Sequence, residues 1–69
     1  MKSIYPNLDS LMEEKGIDYR VLAKETNTDD TTMYRRLKGV SDFKLCEVLE
    51  ICKYFNNYDL ERVFTRKPL

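Results

Sequence analysis

The chain lacks most of the residue types on which catalytic and metal sites depend. It has no histidine and no tryptophan, and only two cysteines and two glycines among 69 residues. Without histidine there is no imidazole ligand and no Ser/His or Cys/His nucleophile pair, and two thiolates cannot complete a four-cysteine metal site. Two isolated glycines do not make a phosphate-binding loop. We therefore expect no enzymatic activity, no metal, no cofactor and no small-molecule substrate.

Long apolar runs are also missing. No stretch approaches the roughly 18 residues of a membrane-spanning helix, and the opening MKSIYPNLDS lacks the apolar segment of a signal peptide. We expect a cytoplasmic protein with no membrane contact. Cys46 and Cys52 lie too far apart on one predicted helix to bridge, so both are expected as reduced thiols, one or both of them in the core.

The length allows a single domain, 1–69, because a second domain would need roughly 50 further residues for its own core. We expect an ordered core over about 4–64 and a frayed tail over 65–69. Apolar spacing predicts an all-α fold, a compact bundle of five short helices. The predicted helices span about 7–15, 19–25, 29–38, a fourth that starts near Ser41 or Lys44 and runs to Phe55, and 59–64.

Local signals mark the helix ends. Gly16 suits the left-handed position that closes the first helix, and Asp18 suits the N-cap of the second. Asn27 is the best non-glycine candidate for a left-handed turn residue, and Asp29 can cap the third helix. The fourth helix has a wide apolar face formed by Leu45, Val48, Leu49, Ile51, Cys52 and Phe55.

The segment from Asp18 to Gly39 joins two short helices through a turn of three or four residues, which is helix-turn-helix spacing. Ala23 supplies the small side chain that such a steep crossing needs. With one helix before and two after, residues 7–64 resemble the Cro and lambda-repressor-like regulators, most of all their small phage and prophage members. The resemblance is carried by Tyr5-Pro6-Asn7-Leu8, Glu13-Glu14-Lys15-Gly16-Ile17, Arg35-Arg36-Leu37-Lys38-Gly39 and Phe43-Lys44-Leu45.

The chain departs from that family in its turn and its helix starts. Asn27 stands where the turn usually has glycine, and Tyr19 stands where a glutamine commonly reaches a DNA phosphate. Asp29 and Asp30 occupy positions where many relatives carry Ser, Thr, Gln or Arg. We interpret Asp29 as structural, whereas Asp30 either accepts a hydrogen bond from a cytosine amino group or only meets the positive end of the helix dipole.

The resemblance implies that the third helix lies in the major groove of DNA. Arg35 would then pair with guanine, while Thr31 and Thr32 would bond bases or touch a thymine methyl group. Tyr34 would touch a base or simply cover apolar surface. The implied base-facing residues are Asp30, Thr31, Thr32, Tyr34 and Arg35, and the implied phosphate contacts are Tyr19, Arg20, Arg36, Lys38 and Lys44.

Charge is balanced overall, with twelve basic and twelve acidic residues. Between positions 35 and 44, however, Arg35, Arg36, Lys38 and Lys44 stand against Asp42 alone, a local net charge of plus three. DNA responds to such a local footprint more than to the total. Together with this local charge, the resemblance implies a sequence-specific transcriptional regulator whose partner is a double-stranded DNA operator.

Two alternatives stay open. The first is a helix-turn-helix protein-interaction module, an antirepressor or assembly factor with little or no DNA binding, which the neutral charge and the two adjacent aspartates favour. The second concerns oligomeric state, because a homodimer would double the contacts with DNA. Leu49, Val63, Phe64 and Leu69 are candidates for its surface, and completion of the core is an equally good explanation for them.

Overall fold

The computed structural model describes residues 2–67, which form five α-helices and no strand. This confirms the predicted all-α bundle. The predicted third helix differs from the observed one only by its two capping residues. The fourth helix starts at Leu45 with Lys44 as N-cap, which decides between the two predicted starts. The helices are α1 Pro6–Lys15, α2 Tyr19–Glu25, α3 Asp30–Leu37, α4 Leu45–Phe55 and α5 Leu60–Val63.

The helix ends are fixed by the local signals that the sequence carries. α1 closes at Gly16, whose φ is +66°, and the Ile17 N–H donates to the Met12 carbonyl at 3.1 Å. The Asp18 carboxylate caps α2 by accepting hydrogen bonds from the Arg20 and Val21 N–H groups, both at 3.0 Å. Asn27 takes the left-handed turn conformation, with φ +55°. These local choices fix the angle at which α3 leaves α2.

All five helices contribute buried residues to one core. α2 packs chiefly against α3, and Ala23 is fully buried where the two helices cross, as predicted. Met33 and Leu37 project from α3 into this core. The buried hydrophobic residues are Tyr5, Leu8, Met12, Leu22, Ala23, Met33, Leu37, Ile51, Cys52 and Val63.

Two leucines of the apolar face expected for α4 lie outside the core. Leu45 is 68% exposed and Leu49 is 45% exposed, whereas Ile51 and Cys52 are buried. Spacing identifies the apolar face of a helix but not where along that face the neighbouring helices end, and Leu45 stands at the first position of α4. Cys46 is exposed and Cys52 buried, both as free thiols, and burial raises the pKa of Cys52.

The first and last segments of the described chain meet at the exit of α3. The Ile4 N–H donates to the Leu37 carbonyl at 2.9 Å, and the Lys67 N–H donates to the Ile4 carbonyl at 2.7 Å. Arg66 bonds Asp42 at 2.7 Å. Residues 65–67, expected as a frayed tail, are thus held by backbone and side-chain contacts with segments distant in sequence.

The four residues suggested for a dimer surface fall into different environments. Val63 is buried, and Phe64 packs edge-on against Tyr5 and Phe43 with ring centroids 5.7 and 5.4 Å away. Both therefore complete the core. Leu49 remains on the surface, and Leu69 lies outside the described residues.

Candidate nucleic-acid interface

The outer face of α3 is open to solvent and chemically varied. Because Met33 and Leu37 occupy the inner face of α3, the side chains on the opposite side of the helix point outward. Thr32 lies half-buried at the margin of the outer face. The exposed members of that face are Asp30, Thr31, Tyr34, Arg35 and Lys38.

The two aspartates at the start of α3 play different parts. The Asp29 carboxylate accepts hydrogen bonds from the Thr31 N–H at 3.0 Å and the Thr32 N–H at 3.2 Å. It is the N-cap, which confirms the structural role expected for it. Asp30 is exposed, and its carboxylate accepts no hydrogen bond from residues 2–67. Asp30 lies in the first turn of α3, where its carboxylate can interact with the positive end of the helix dipole or accept a hydrogen bond from a ligand.

The turn between α2 and α3 is held by side chains as well as backbone. The Thr28 N–H donates to the Ala23 carbonyl at 2.7 Å, and the buried Thr26 hydroxyl donates to the Leu22 carbonyl at 2.8 Å. Each buried polar side chain of the described residues has a hydrogen-bond partner. α2 and α3 thus present their outer surfaces as one rigid unit.

The basic side chains expected on this surface differ in their freedom. Arg35, Arg20 and Lys44 are exposed, and none forms an ion pair with another residue of the described chain. Lys38 is exposed but tethered, because its ammonium group donates to the Lys2 carbonyl at 2.9 Å. A hydrogen bond to a neutral carbonyl leaves that positive charge uncompensated.

Arg36 is occupied inside the protein. Its Nε donates to Glu47 Oε1 at 2.9 Å and its Nη2 to Oε2 at 3.3 Å, and the two side chains are 14% and 17% exposed. The guanidinium therefore fastens α3 to α4 and has little surface left for a phosphate. The family resemblance implied a phosphate contact for Arg36, and its partner Glu47, eleven residues further along the chain, was not foreseen.

The Glu47 carboxylate accepts hydrogen bonds from three N–H donors, two on the Arg36 guanidinium and one on the backbone of Lys44. The Lys44 N–H donates at 2.8 Å, so one side chain caps α4 and pairs with α3. Burial pushes the pKa of Glu47 upward, but the Lys44 backbone hydrogen bond together with the Arg36 hydrogen bond and charge outweighs it. The resulting pKa is below the ordinary value for glutamate, so the ion pair persists at neutral pH.

Tyr19 is half-buried at the start of α2 and packs partly on the core. Its ring contacts the Tyr34 ring edge-on, with centroids 5.4 Å apart. Tyr19, Arg20, Asp30, Thr31 and Tyr34 line one shallow depression between the two helix starts. The structure therefore brings together residues that the sequence assigned separately to phosphates and to bases.

The exit of α3 has a support that sequence reasoning missed. Gly39 turns the chain with φ +79°, and a Cβ there would lie 2.8 Å from Ile4 Cδ1. The N-terminal segment thus presses on the turn that follows α3. The only local signal was an apolar Ile4-Tyr5 pair before Pro6, which does not reveal the surface it covers.

Within the described part of the chain, no helix is long and apolar enough to cross a membrane. Residues 2–67 also contain no group of three His, Cys, Asp or Glu side chains placed to hold a metal ion.

Comparison with known proteins gives one finding. A family model described as the Cro/C1-type HTH DNA-binding domain matches residues 7–57, which include α1 from its second residue, the whole of α2, α3 and α4, and the outer face of α3. Neither the curated proteins nor the solved structures yield a match.

Proposed function

The chain belongs to the Cro/C1-type helix-turn-helix DNA-binding domain family, and we propose that it is a small transcriptional regulator of the phage or prophage repressor type. It binds double-stranded DNA by sequence, with α3 in the major groove and α2 across the backbone. Residues 7–57, which the family model covers, include both helices.

The observation that carries the proposal is the outer face of α3. It combines a guanidinium free of ion pairs at Arg35 with the hydroxyl group of Thr31 and the exposed ring of Tyr34. A guanidinium matches the two acceptors of guanine in the major groove, while hydroxyl and apolar groups suit adenine and thymine. Such a mixture on one rigid helix is suited to reading several bases in a row.

The phosphate contacts divide by what the side chains already bind. Arg20, Lys38 and Lys44 are exposed and keep their charge, so they suit phosphates on either side of the groove. Arg36 supports α3 through Glu47, and we assign it a positioning role instead. Thr32 and Asp30 remain as base contacts at the margin and the start of α3.

Two copies on adjacent half-sites are part of the proposal. With about three phosphates neutralised by each subunit, a dimer would show a slope of log K against log salt of about −5. That slope is modest, so a single subunit would bind weakly, and pairing on a symmetric operator would supply the missing affinity. The stoichiometry on a selected site, measured by sedimentation, tests this point.

Selection of binding sites from random DNA, followed by titration at several salt concentrations, tests the function. Arg35→Ala should weaken binding to the selected site by roughly 5- to 150-fold, the worth of one bidentate contact with guanine. Arg62→Ala is the matched control, because Arg62 is also an exposed arginine but lies on α5. Equal losses in the two variants would show that only charge matters and would reject α3 as the reader.

The net charge of zero favours the second candidate, a protein-interaction module built on the same fold. If the wild-type chain binds no DNA at low salt and instead forms a stable complex with another protein, that function replaces the first.

A further inference from the structure

Four side chains form a continuous row across α2 and α3, with a cation at each end and two tyrosines between. The Arg20 guanidinium lies 5.6 Å from the centre of the Tyr19 ring, and the Tyr19 ring meets the Tyr34 ring at 5.4 Å. The Lys38 ammonium lies 5.8 Å from the centre of the Tyr34 ring. We call Arg20, Tyr19, Tyr34 and Lys38 the aromatic row.

Tyr34 is the member of the row on the outer face of α3. It contacts Tyr19 and Lys38 and is nevertheless 43% exposed. Its neighbours on this face carry charges or hydroxyl groups, so its ring is the largest apolar surface there. A side chain with two rotatable bonds, held by two neighbours, loses little further freedom when it contacts a ligand.

The major groove offers one apolar group to such a ring. All four bases present hydrogen-bond donors or acceptors there, and thymine alone adds an apolar group, its C5 methyl. We propose that Tyr34 determines specificity for thymine by apolar contact with that methyl group, and that Tyr19 is a positioning residue that holds the Tyr34 ring in place. This inference rests on the proposed function, because it assumes that α3 occupies the groove.

The positioning role of Tyr19 differs from the phosphate contact that the sequence suggested. Its ring is half-buried and packed on the core, and the ring, not the hydroxyl, makes the contact with Tyr34. A phosphate contact would require the hydroxyl group. Tyr19→Phe therefore separates the two roles, because it removes the hydroxyl and keeps the ring.

The test replaces each thymine of a selected site in turn by deoxyuridine, which removes only the C5 methyl group. At one thymine position in each half-site, replacement should lower the affinity of the wild-type chain for the DNA by about fourfold, as expected for one apolar group of this size. Tyr34→Ala should bind the thymine and uracil versions of that site equally. Tyr58→Ala, a change at an exposed tyrosine outside the row, should keep the fourfold difference.

Tyr19 is tested by the same thymine-to-uracil ratio, which a general loss of stability does not change. Tyr19→Phe should keep both the overall affinity and the ratio, and Tyr19→Leu should reduce the ratio. If Tyr19→Phe instead weakens binding to every site equally, Tyr19 is a phosphate contact and its positioning role is rejected.

Failure of the inference and failure of the proposed function give different results. If sites are selected but no uracil substitution matters, or if the ratio survives in Tyr34→Ala, the methyl contact is rejected while DNA recognition stands. If the wild-type chain selects no DNA at low salt, the proposed function fails and the inference fails with it.

Discussion

Gly39 connects the exit of α3 to the N-terminal segment, and its replacement by alanine gives a prediction with a built-in control. Both glycines of the chain have positive φ, +66° at Gly16 and +79° at Gly39. A Cβ at Gly16 would meet no atom within 4 Å, whereas one at Gly39 would lie 2.8 Å from Ile4 Cδ1. The two substitutions therefore share the backbone cost and differ in one contact.

The magnitudes follow from these two terms. A side chain in the left-handed region costs about 1–2 kcal/mol, and the lower entropy of alanine in the unfolded chain returns about 0.4–1 kcal/mol in both variants. At Gly39 the end of the Ile4 side chain must also leave its rotamer, which adds about 0.5–1.5 kcal/mol. Gly39→Ala should therefore lower the free energy of unfolding by about 1 kcal/mol more than Gly16→Ala does.

Urea unfolding followed by circular dichroism measures both variants. For a domain of this length, a difference of about 1 kcal/mol corresponds to about 4–8 °C in Tm. Ile4→Val removes the Cδ1 atom itself, so in that background Gly39→Ala should cost no more than Gly16→Ala. Equal costs of the two glycine substitutions in the wild-type background would refute the contact between Ile4 and the turn.

Three further predictions concern the cap of α3, the α3–α4 ion pair and the thiols. Asp29→Ala should lower the free energy of unfolding by about 1 kcal/mol, because two backbone N–H groups lose their acceptor; a urea titration that shows no change would refute the cap. In the folded protein the pKa of Glu47 is lowered from its ordinary value of 4.5, so the ionised carboxylate should stabilise the fold above pH 4.5. That stabilisation should be lost as the pH falls through the lower pKa of the folded state. Glu47→Gln should therefore flatten the dependence of the free energy of unfolding on pH across this acidic range. A thiol reagent should label the native protein at Cys46 within minutes and at Cys52 only on unfolding, as mass spectrometry can determine, and equal rates would contradict the burial of Cys52.

The sequence predicts well what neighbouring residues decide. The N-cap aspartates, the left-handed Gly16 and Asn27, and the buried Ala23 act within a few residues of their own positions, and the structure has each as expected. For the same reason the exposed face of α3 was predictable: Met33 and Leu37 fix it by helical periodicity alone.

What the sequence did not predict depends on contacts between distant segments. Arg36 was assigned to phosphates by the family resemblance, and its ion pair was missed because its partner Glu47 belongs to another helix. Ile4 and Lys67 meet through backbone atoms, whose hydrogen bonds carry no side-chain signature in the sequence. Leu45 follows the apolar spacing of α4 but lies where nothing covers it.

The distribution of charge shows how the fold alters a count made along the sequence. Within positions 35–44, the pairing of Arg36 with Glu47 removes one base from the surface, and the pairing of Asp42 with Arg66 offsets the only acid.

Arg35, Lys38 and Lys44 keep their charge, and the Lys38 hydrogen bond to the Lys2 carbonyl brings another exposed basic residue to the exit of α3. The basic surface at the exit of α3 thus survives in a chain of zero net charge because Glu47 and Asp42, the acids near that exit, are paired with other arginines and leave these bases free. Lys2→Gln should therefore weaken DNA binding and reduce the salt slope, although Lys2 lies far from α3 in sequence. The matched change Lys53→Gln, at an exposed lysine on α4, should leave both unchanged. Equal effects of the two substitutions on the salt slope would mean that total charge, and not its placement by the fold, governs the affinity.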